Sequence, residues 1–189
     1  MPKNIHAMVD LETLSLASNA SIISIGAVLW DIETGEIKRR FYANVDPTQK
    51  FSEGLDINPG TVMWWLQQSD QARGAFLEHT PVNLKAALIE LGLFIPQKTK
   101  VWSHATFDSV VLSNAYKQLG LATSWSFRDV MDIRTLTSLF KALGKADHNE
   151  LPQRPEKLVL HNALADAEWQ AHYVTYMYND IRSSTGCQV

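Results

Sequence analysis

Two carboxylates near the amino terminus, Asp10 and Glu12, are the residues whose type and spacing most directly suggest chemistry. They close an apolar run from Ile5 that is typical of a strand. Because side chains alternate in direction along a strand, these two project to the same face, about 6 to 7 Å apart. Like charges at that distance repel each other unless a cation lies between them, and oxygen ligands favour Mg²⁺ or Mn²⁺. A solvated strand end also explains an isolated pair of this kind, so the rest of the chain must distinguish it from a metal site.

Two helix starts supply further acidic residues and a histidine. Asp108 lies in the first turn of a helix whose predicted cap is Thr106, where a carboxylate also suits the helix dipole. His161 lies at or just before the start of the last long helix, and Asp166 lies about one and a half turns into that helix. Helix starts of this kind gather near strand ends, where ligands commonly bind. The sequence therefore predicts four carboxylates and one imidazole at one place.

This combination of groups favours one kind of reaction. Four carboxylates at one place require divalent cations, and pairs of such ions about 3.5 to 4 Å apart serve phosphodiester cleavage. One ion activates the attacking water, and the other stabilises the leaving oxygen. His161 would take the proton from the water, since an imidazole has an unperturbed pKa of about 6.5. The residues thus indicate metal-dependent hydrolysis of a phosphodiester bond.

The elements that position these groups follow from apolar patterning and turn residues. Residues 22–30 predict a buried strand, and residues 37–45 predict its antiparallel partner after the turn at 31–36. Asn58-Pro59 predicts the cap and first position of a helix. That helix carries Trp64-Trp65, of which one is expected in the core while the other is a candidate stacking platform for a base.

The second half of the chain alternates short strands with helices. Strands are expected at 99–104 and 127–130, and helices are expected at 80–95, 106–119, 132–143 and 161–182. Together the elements predict an α/β fold with a mixed five-stranded sheet, which opens with an antiparallel meander and is flanked by helices.

The composition is that of one globular domain, with residues 5–182 as its core and 183–189 as a polar tail. The formal net charge of -3 excludes a global basic field, so any nucleic-acid binding must be local. A single cysteine, Cys187, excludes an intrachain disulfide and a cysteine-based zinc site. With no signal-like or membrane-spanning apolar run, the protein is expected to be cytoplasmic.

The ordered set Asp10-x-Glu12, Phe107-Asp108 and His161 with Asp166 resembles the DEDDh branch of the 3′-5′ exonuclease superfamily. Three segments are most similar to small stand-alone bacterial and phage exonucleases or exoribonucleases: DLETLS (10–15), WSHATFD (102–108) and HNALADA (161–167). The resemblance covers residues 5–182. It implies a ribonuclease H-like fold and the release of nucleoside 5′-monophosphates from single-stranded 3′ ends.

The resemblance also implies a role for each matching residue. Asp10 would bridge two Mg²⁺ or Mn²⁺ ions, and Glu12 and Asp166 would hold the ion that activates water. Asp108 would help to hold the other ion, and His161 would be the general base that distinguishes the DEDDh branch. The implied substrate-binding residues lie beside the carboxylates: Leu11, Thr13 and Phe107. Phe107 also fits the buried stripe of its helix.

Several alternatives stay open. Single-stranded DNA is slightly favoured, and short RNA stays open because no residue clearly shows a contact to the 2′ hydroxyl. A non-catalytic nucleic-acid-binding module on the same fold would gain nothing from four mutually repelling carboxylates. A nucleotide phosphatase would need a closed pocket for a small substrate. Tryptophan-rich helix surfaces leave homodimerisation open.

Basic residues give a weak signal in this chain. Because the net charge is negative and no basic cluster is present, phosphates would be weakly neutralised. This favours binding of a few terminal nucleotides over binding of long duplexes. His104 is expected to be structural. Candidate phosphate contacts are scattered along the second half of the chain: Lys100, Arg128, Arg134, Lys141, Lys145, Arg154 and Lys157.

Overall fold

The computed structural model describes residues 4–49, 54–76, 78–145, 153–156 and 158–185, so Lys157 and Cys187 lie outside the described residues. A five-stranded sheet in the order β3-β2-β1-β4-β5 forms its centre. The strands are β1 (Ile5–Thr13), β2 (Ile22–Asp31), β3 (Ile37–Asn44), β4 (Val101–Ser103) and β5 (Val130–Asp132). The first three pair antiparallel, and β4 and β5 extend the sheet parallel to β1. The predicted mixed sheet with its amino-terminal meander is thus confirmed.

Six helices of the described residues flank the sheet: α1 (Pro59–Leu66), α2 (Asp70–Gly74), α3 (Leu84–Phe94), α4 (Asp108–Gln118), α5 (Ile133–Ala142) and α6 (Ala163–Thr185). The α1 helix begins as predicted, because the Asn58 side chain accepts the amides of Gly60 and Thr61. The short α2 helix, capped by Ser69, was not predicted. None of the described helices has the length and apolar character needed to cross a membrane.

Three local predictions were wrong. The helix expected at 80–95 begins at Leu84, because Asn83 caps it by accepting the Ala86 amide. Residues 127–130 were expected to be an edge strand, but Phe127–Asp129 is a 3₁₀ helix and the strand begins at Val130. Ser126 explains this difference, since its hydroxyl accepts the Arg128 amide and its own amide donates to the Asp129 carboxylate. Thr106 is not the cap of α4; Phe107 occupies that position without a side-chain hydrogen bond.

Apolar side chains cover both faces of the sheet. Alternate β1 residues such as Val9 pack with α3 and α4 on one face. Met8 faces the other way and packs with the small residues Ala167 and Ala171 of α6. Since Asp10 and Glu12 share the direction of Met8, both carboxylates point toward α6. The strand period therefore delivers the acidic pair to the start of that helix.

The start of α6 rests directly on the backbone of Gly26. This glycine lies opposite Asp10 in the β1–β2 register. A Cβ atom at position 26 would lie 2.1 Å from the carbonyl carbon of Ala163 and 2.2 Å from the amide nitrogen of Leu164. Only glycine permits an approach this close. The contact places the first turn of α6 beside the strand that carries Asp10.

Candidate active site

The five residues predicted to form the site come together at the end of β1. Ligand atoms of Asp10 and Asp108, together with one from His104, all lie within 4.8 Å of one another. A second group with the same spacing contains Glu12, His161 and Asp166. These groups arise from β1, from the loop between β4 and α4, and from the turn into α6. The structure therefore gathers side chains that lie up to 156 residues apart in the chain.

Asp10 is buried close to three other carboxylates. Burial raises its pKa well above the usual range, and the nearby carboxylates of Asp108, Glu12 and Asp166 add to that effect. Gln170 opposes it, because its amide Nε2 donates to Asp10 Oδ1 at 2.7 Å. Sequence reasoning missed Gln170. It lies one helical turn after Asp166 and so shares a face of α6 with it, which is the signal that would have found it.

Asp108 is held by main-chain amides. Its Oδ1 accepts the Leu11 amide at 3.2 Å, and its Oδ2 accepts the His104 amide at 3.0 Å. Burial raises the pKa of Asp108 to about 7, although these backbone hydrogen bonds oppose the shift. The bond to Leu11 joins the start of α4 directly to the strand between Asp10 and Glu12. His104 Nδ1 lies 4.0 Å from Asp108 Oδ2, so the histidine expected to be structural adjoins the carboxylates.

Glu12 and Asp166 form the second side of the site. Burial raises the pKa of both carboxyl groups, and their mutual repulsion raises that of Glu12 further. Arg154 opposes both shifts and forms an ion pair with Asp166 Oδ1. Arg154 was considered only as a candidate phosphate contact, and its pairing with Asp166 was not predicted.

His161 lies two residues before α6 with a backbone φ of 60°. Its ring meets Trp64 edge to face at a centroid distance of 4.8 Å, and Trp65 lies at 6.1 Å. Burial lowers the pKa of His161, so the imidazole is neutral near pH 7 and able to accept a proton.

A cavity of about 460 Å³ opens beside Glu12. All three residues expected to bind substrate, Leu11, Thr13 and Phe107, line it. The tryptophan pair divides as expected, with Trp65 buried and Trp64 on the cavity wall with 41% of its surface exposed. Trp65 Nε1 donates to the Thr13 carbonyl at 2.9 Å and so fixes the backbone at the end of β1. The volume lies in the range of small-molecule sites and suits a nucleoside.

The donor set fits two hard divalent cations. Asp10 and Asp108 would hold one ion, and Glu12 and Asp166 would hold the other. Burial raises the pKa of all four carboxyl groups, and repulsion from neighbouring carboxylates adds to the shift of Asp10 and Glu12, whereas a bound cation would keep them ionised. The carboxylates therefore suit a site whose charge is balanced by metal.

The structure thus brings together the residues on which the resemblance to the DEDDh exonucleases rests. The family model described as the 3′-5′ exoribonuclease Rv2179c-like domain matches residues 5–178, and the chain belongs to this family. The match places the chain in the expected group of 3′-5′ exonuclease domains. No curated protein matches the chain.

Solved structures share the fold at low sequence identity. Exonuclease I of E. coli bound to a dT13 oligonucleotide superposes with a TM-score of 0.64 at 15% identity, over 97% of this chain and 42% of that chain. The nuclease domain of 3′hExo, a DEDDh family member bound to rAMP, gives 0.56 at 17% identity over 94% and 92%. The chain thus spans about two fifths of exonuclease I and nearly the whole of the 3′hExo domain. These structures confirm the predicted ribonuclease H-like fold.

Proposed function

We propose that the protein is a metal-dependent 3′-5′ exonuclease that hydrolyses the terminal phosphodiester bond of single-stranded nucleic acid and releases nucleoside 5′-monophosphates. The observation that carries this proposal is the convergence of four carboxylates and His161 beside a cavity of nucleoside size. Residues 1–189 would act as one exonuclease domain, with the core at 5–182.

Each site residue has a task in this proposal. Asp10 and Asp108 would hold one divalent cation, and Glu12 and Asp166 would hold the other. Two such ions, Mg²⁺ or Mn²⁺, would supply charge to activate water and to stabilise the leaving oxygen. His161 accepts the proton of the attacking water, because burial keeps its imidazole neutral.

The cavity beside Glu12 would take the terminal nucleoside. Leu11 and Phe107 give it apolar walls, and Trp64 offers an exposed indole for stacking against a base. Thr13 also lines the cavity, and contacts to the 3′ hydroxyl are expected from this residue. A nucleoside bound here would have its phosphate facing the carboxylates.

A second cavity, of about 350 Å³, adjoins the other side of the site. His104 lines it together with the basic residues Arg134 and Lys141. Arg134 Nη1 donates to Thr106 Oγ1 at 3.3 Å, which holds the guanidinium near the start of α4. Cationic side chains here suit a phosphate further along the strand. The two cavities together favour an oligonucleotide over a mononucleotide, which argues against the phosphatase alternative.

The sugar of the substrate is the finer part of the proposal. The sequence slightly favoured DNA, whereas the family to which the chain belongs is described as exoribonuclease. Because of this family description, we propose RNA 3′ ends as the preferred substrate, with DNA as the comparison.

The test follows 5′-labelled single-stranded RNA and DNA of equal sequence in Mg²⁺, in Mn²⁺ and in EDTA. We expect a metal-dependent ladder that shortens from the 3′ end, faster on RNA. The isosteric Asp10→Asn variant is expected to abolish it, while Asp70→Asn, at a carboxylate whose side chain is 96% exposed, should not. Binding of strands with no ladder in either metal would overturn the proposal in favour of a binding module. Dephosphorylation of mononucleotides without a ladder would favour the phosphatase.

A further inference from the structure

We propose that Arg154 is a positioning residue, which fastens the turn carrying His161 to the carboxylate of Asp166. This inference rests on the proposed function, because it assigns Arg154 to the geometry of the same site. It replaces the expectation that Arg154 contacts a substrate phosphate.

Every nitrogen of the Arg154 guanidinium has a partner within the protein. Nε donates to the Leu158 carbonyl at 2.8 Å, and Nη2 donates to the Val159 carbonyl at 2.8 Å. Nη1 pairs with Asp166 Oδ1. One planar group therefore joins two backbone carbonyls of the turn to a carboxylate in the first turn of α6.

The two carbonyls lie three and two residues before His161. That histidine adopts a φ of 60°, which is strained for a residue with a side chain and persists only where surrounding contacts hold it. The turn has another local bond, from the Leu158 amide to the Pro155 carbonyl at 2.9 Å. Arg154 connects this turn to the helix, and so it bears on both the position of the base and that of the metal ligand.

Charge supports the same role. The carboxylates of Glu12 and Asp166 lie close together, and a guanidinium at Asp166 offsets part of their repulsion. Only 19% of the Arg154 side chain is exposed, so solvent screens this charge weakly. Glu12 and Asp166 can thus keep their arrangement before a cation binds.

A phosphate contact and a positioning role predict different kinetics. A residue that binds a phosphate equally in the ground and transition states mainly raises KM when it is removed. A residue that aligns the base and a metal ligand mainly lowers kcat, because misalignment of reacting groups weakens catalysis more than binding.

The experiment compares Arg154→Met and Arg154→Lys with wild type and with Arg40→Met. Arg40 is the matched control, because its Nε pairs with Glu168 of α6 at 2.6 Å, two residues after Asp166. For Arg154→Met we expect kcat to fall at least tenfold with KM within threefold of wild type. Arg154→Lys should stay impaired, because an ammonium cannot reproduce the planar fork. Arg40→Met should match wild type.

Hydrogen exchange of the metal-free protein supplies a readout that needs no turnover. We expect the amides at 158–166 to exchange at least tenfold faster in Arg154→Met, and no such change in Arg40→Met. A large rise in KM with unchanged kcat would overturn the inference in favour of a phosphate contact. Full activity of Arg154→Lys would show that charge alone matters and would also overturn it. If wild type gave no ladder, the proposed function would fail, and the exchange comparison would still test Arg154.

Discussion

Replacing Gly26 with alanine tests whether a backbone contact sets the geometry of the site. The added Cβ would lie 2.1 Å from the Ala163 carbonyl carbon, 2.2 Å from its oxygen and 2.2 Å from the Leu164 amide nitrogen. These are backbone atoms and cannot rotate away. Because carbon atoms in contact lie about 3.5 to 4.0 Å apart, the helix start must move by roughly 1.4 Å or more.

The cost falls on both stability and activity. Forcing extra volume into a packed interior costs about 1 to 3 kcal/mol. For a domain of 150 to 250 residues, each kcal/mol lowers Tm by about 2 to 4 °C. A shift of this size also carries Asp166 and His161 away from β1, and a misplacement of about 1 Å can reduce the rate roughly a hundredfold. We therefore expect a larger loss in kcat than the change in Tm alone would cause.

The assay measures thermal unfolding and the rate of 3′-end shortening on the same preparations. Gly92→Ala is the matched control. Gly92 lies within α3, and its added Cβ would meet Tyr116 Oη of α4 at an ordinary contact distance of 3.6 Å. Alanine in a helix interior is favoured over glycine by about 0.5 to 1 kcal/mol, so this variant should unfold at or above the wild-type temperature. If Gly26→Ala kept both the wild-type Tm and the wild-type kcat, the contact with Ala163 would not position α6 and the reasoning would fail.

Two further predictions concern pH and a buried indole. Burial raises the pKa of Asp108 to about 7, above its value in the unfolded chain, so metal-free folded protein loses stability as pH rises between about 4 and 7. In EDTA, Tm should be higher at pH 5 than at pH 8; saturating Mn²⁺ should abolish this difference, and an unchanged difference would contradict a metal role. Trp65→Phe leaves the Thr13 carbonyl without its donor, which should cost about 1 to 3 kcal/mol in denaturant unfolding; wild-type stability would contradict this.

Sequence periodicity predicted the parts of this protein that depend on local patterning. Alternation along β1 placed Asp10 and Glu12 on one face, and the antiparallel meander followed from short apolar runs and turn residues. The cap at Asn58 was equally local. The five residues of the candidate site could be proposed because their types and order are distinctive.

Features that depend on how elements meet in space were not predicted. Gly26 reads as one residue of an apolar strand, and its role emerges only when α6 packs against it. Gln170 and Arg154 are ordinary polar residues until the helix and the turn place them on Asp10 and Asp166. The prediction that Thr106 caps α4 rested on a local preference and was wrong, because Phe107 occupies the cap position.

Main-chain atoms carry much of the placement in this site, and this affects how far the sequence can diverge. The Asp108 carboxylate is held by the amides of Leu11 and His104, whereas the contact at position 26 depends on glycine. Amide groups survive substitution of the side chains beside them. Mutational drift in the surrounding core can therefore alter stability while the carboxylates keep their arrangement. Such tolerance agrees with a fold shared with exonuclease I of E. coli at only 15% identity.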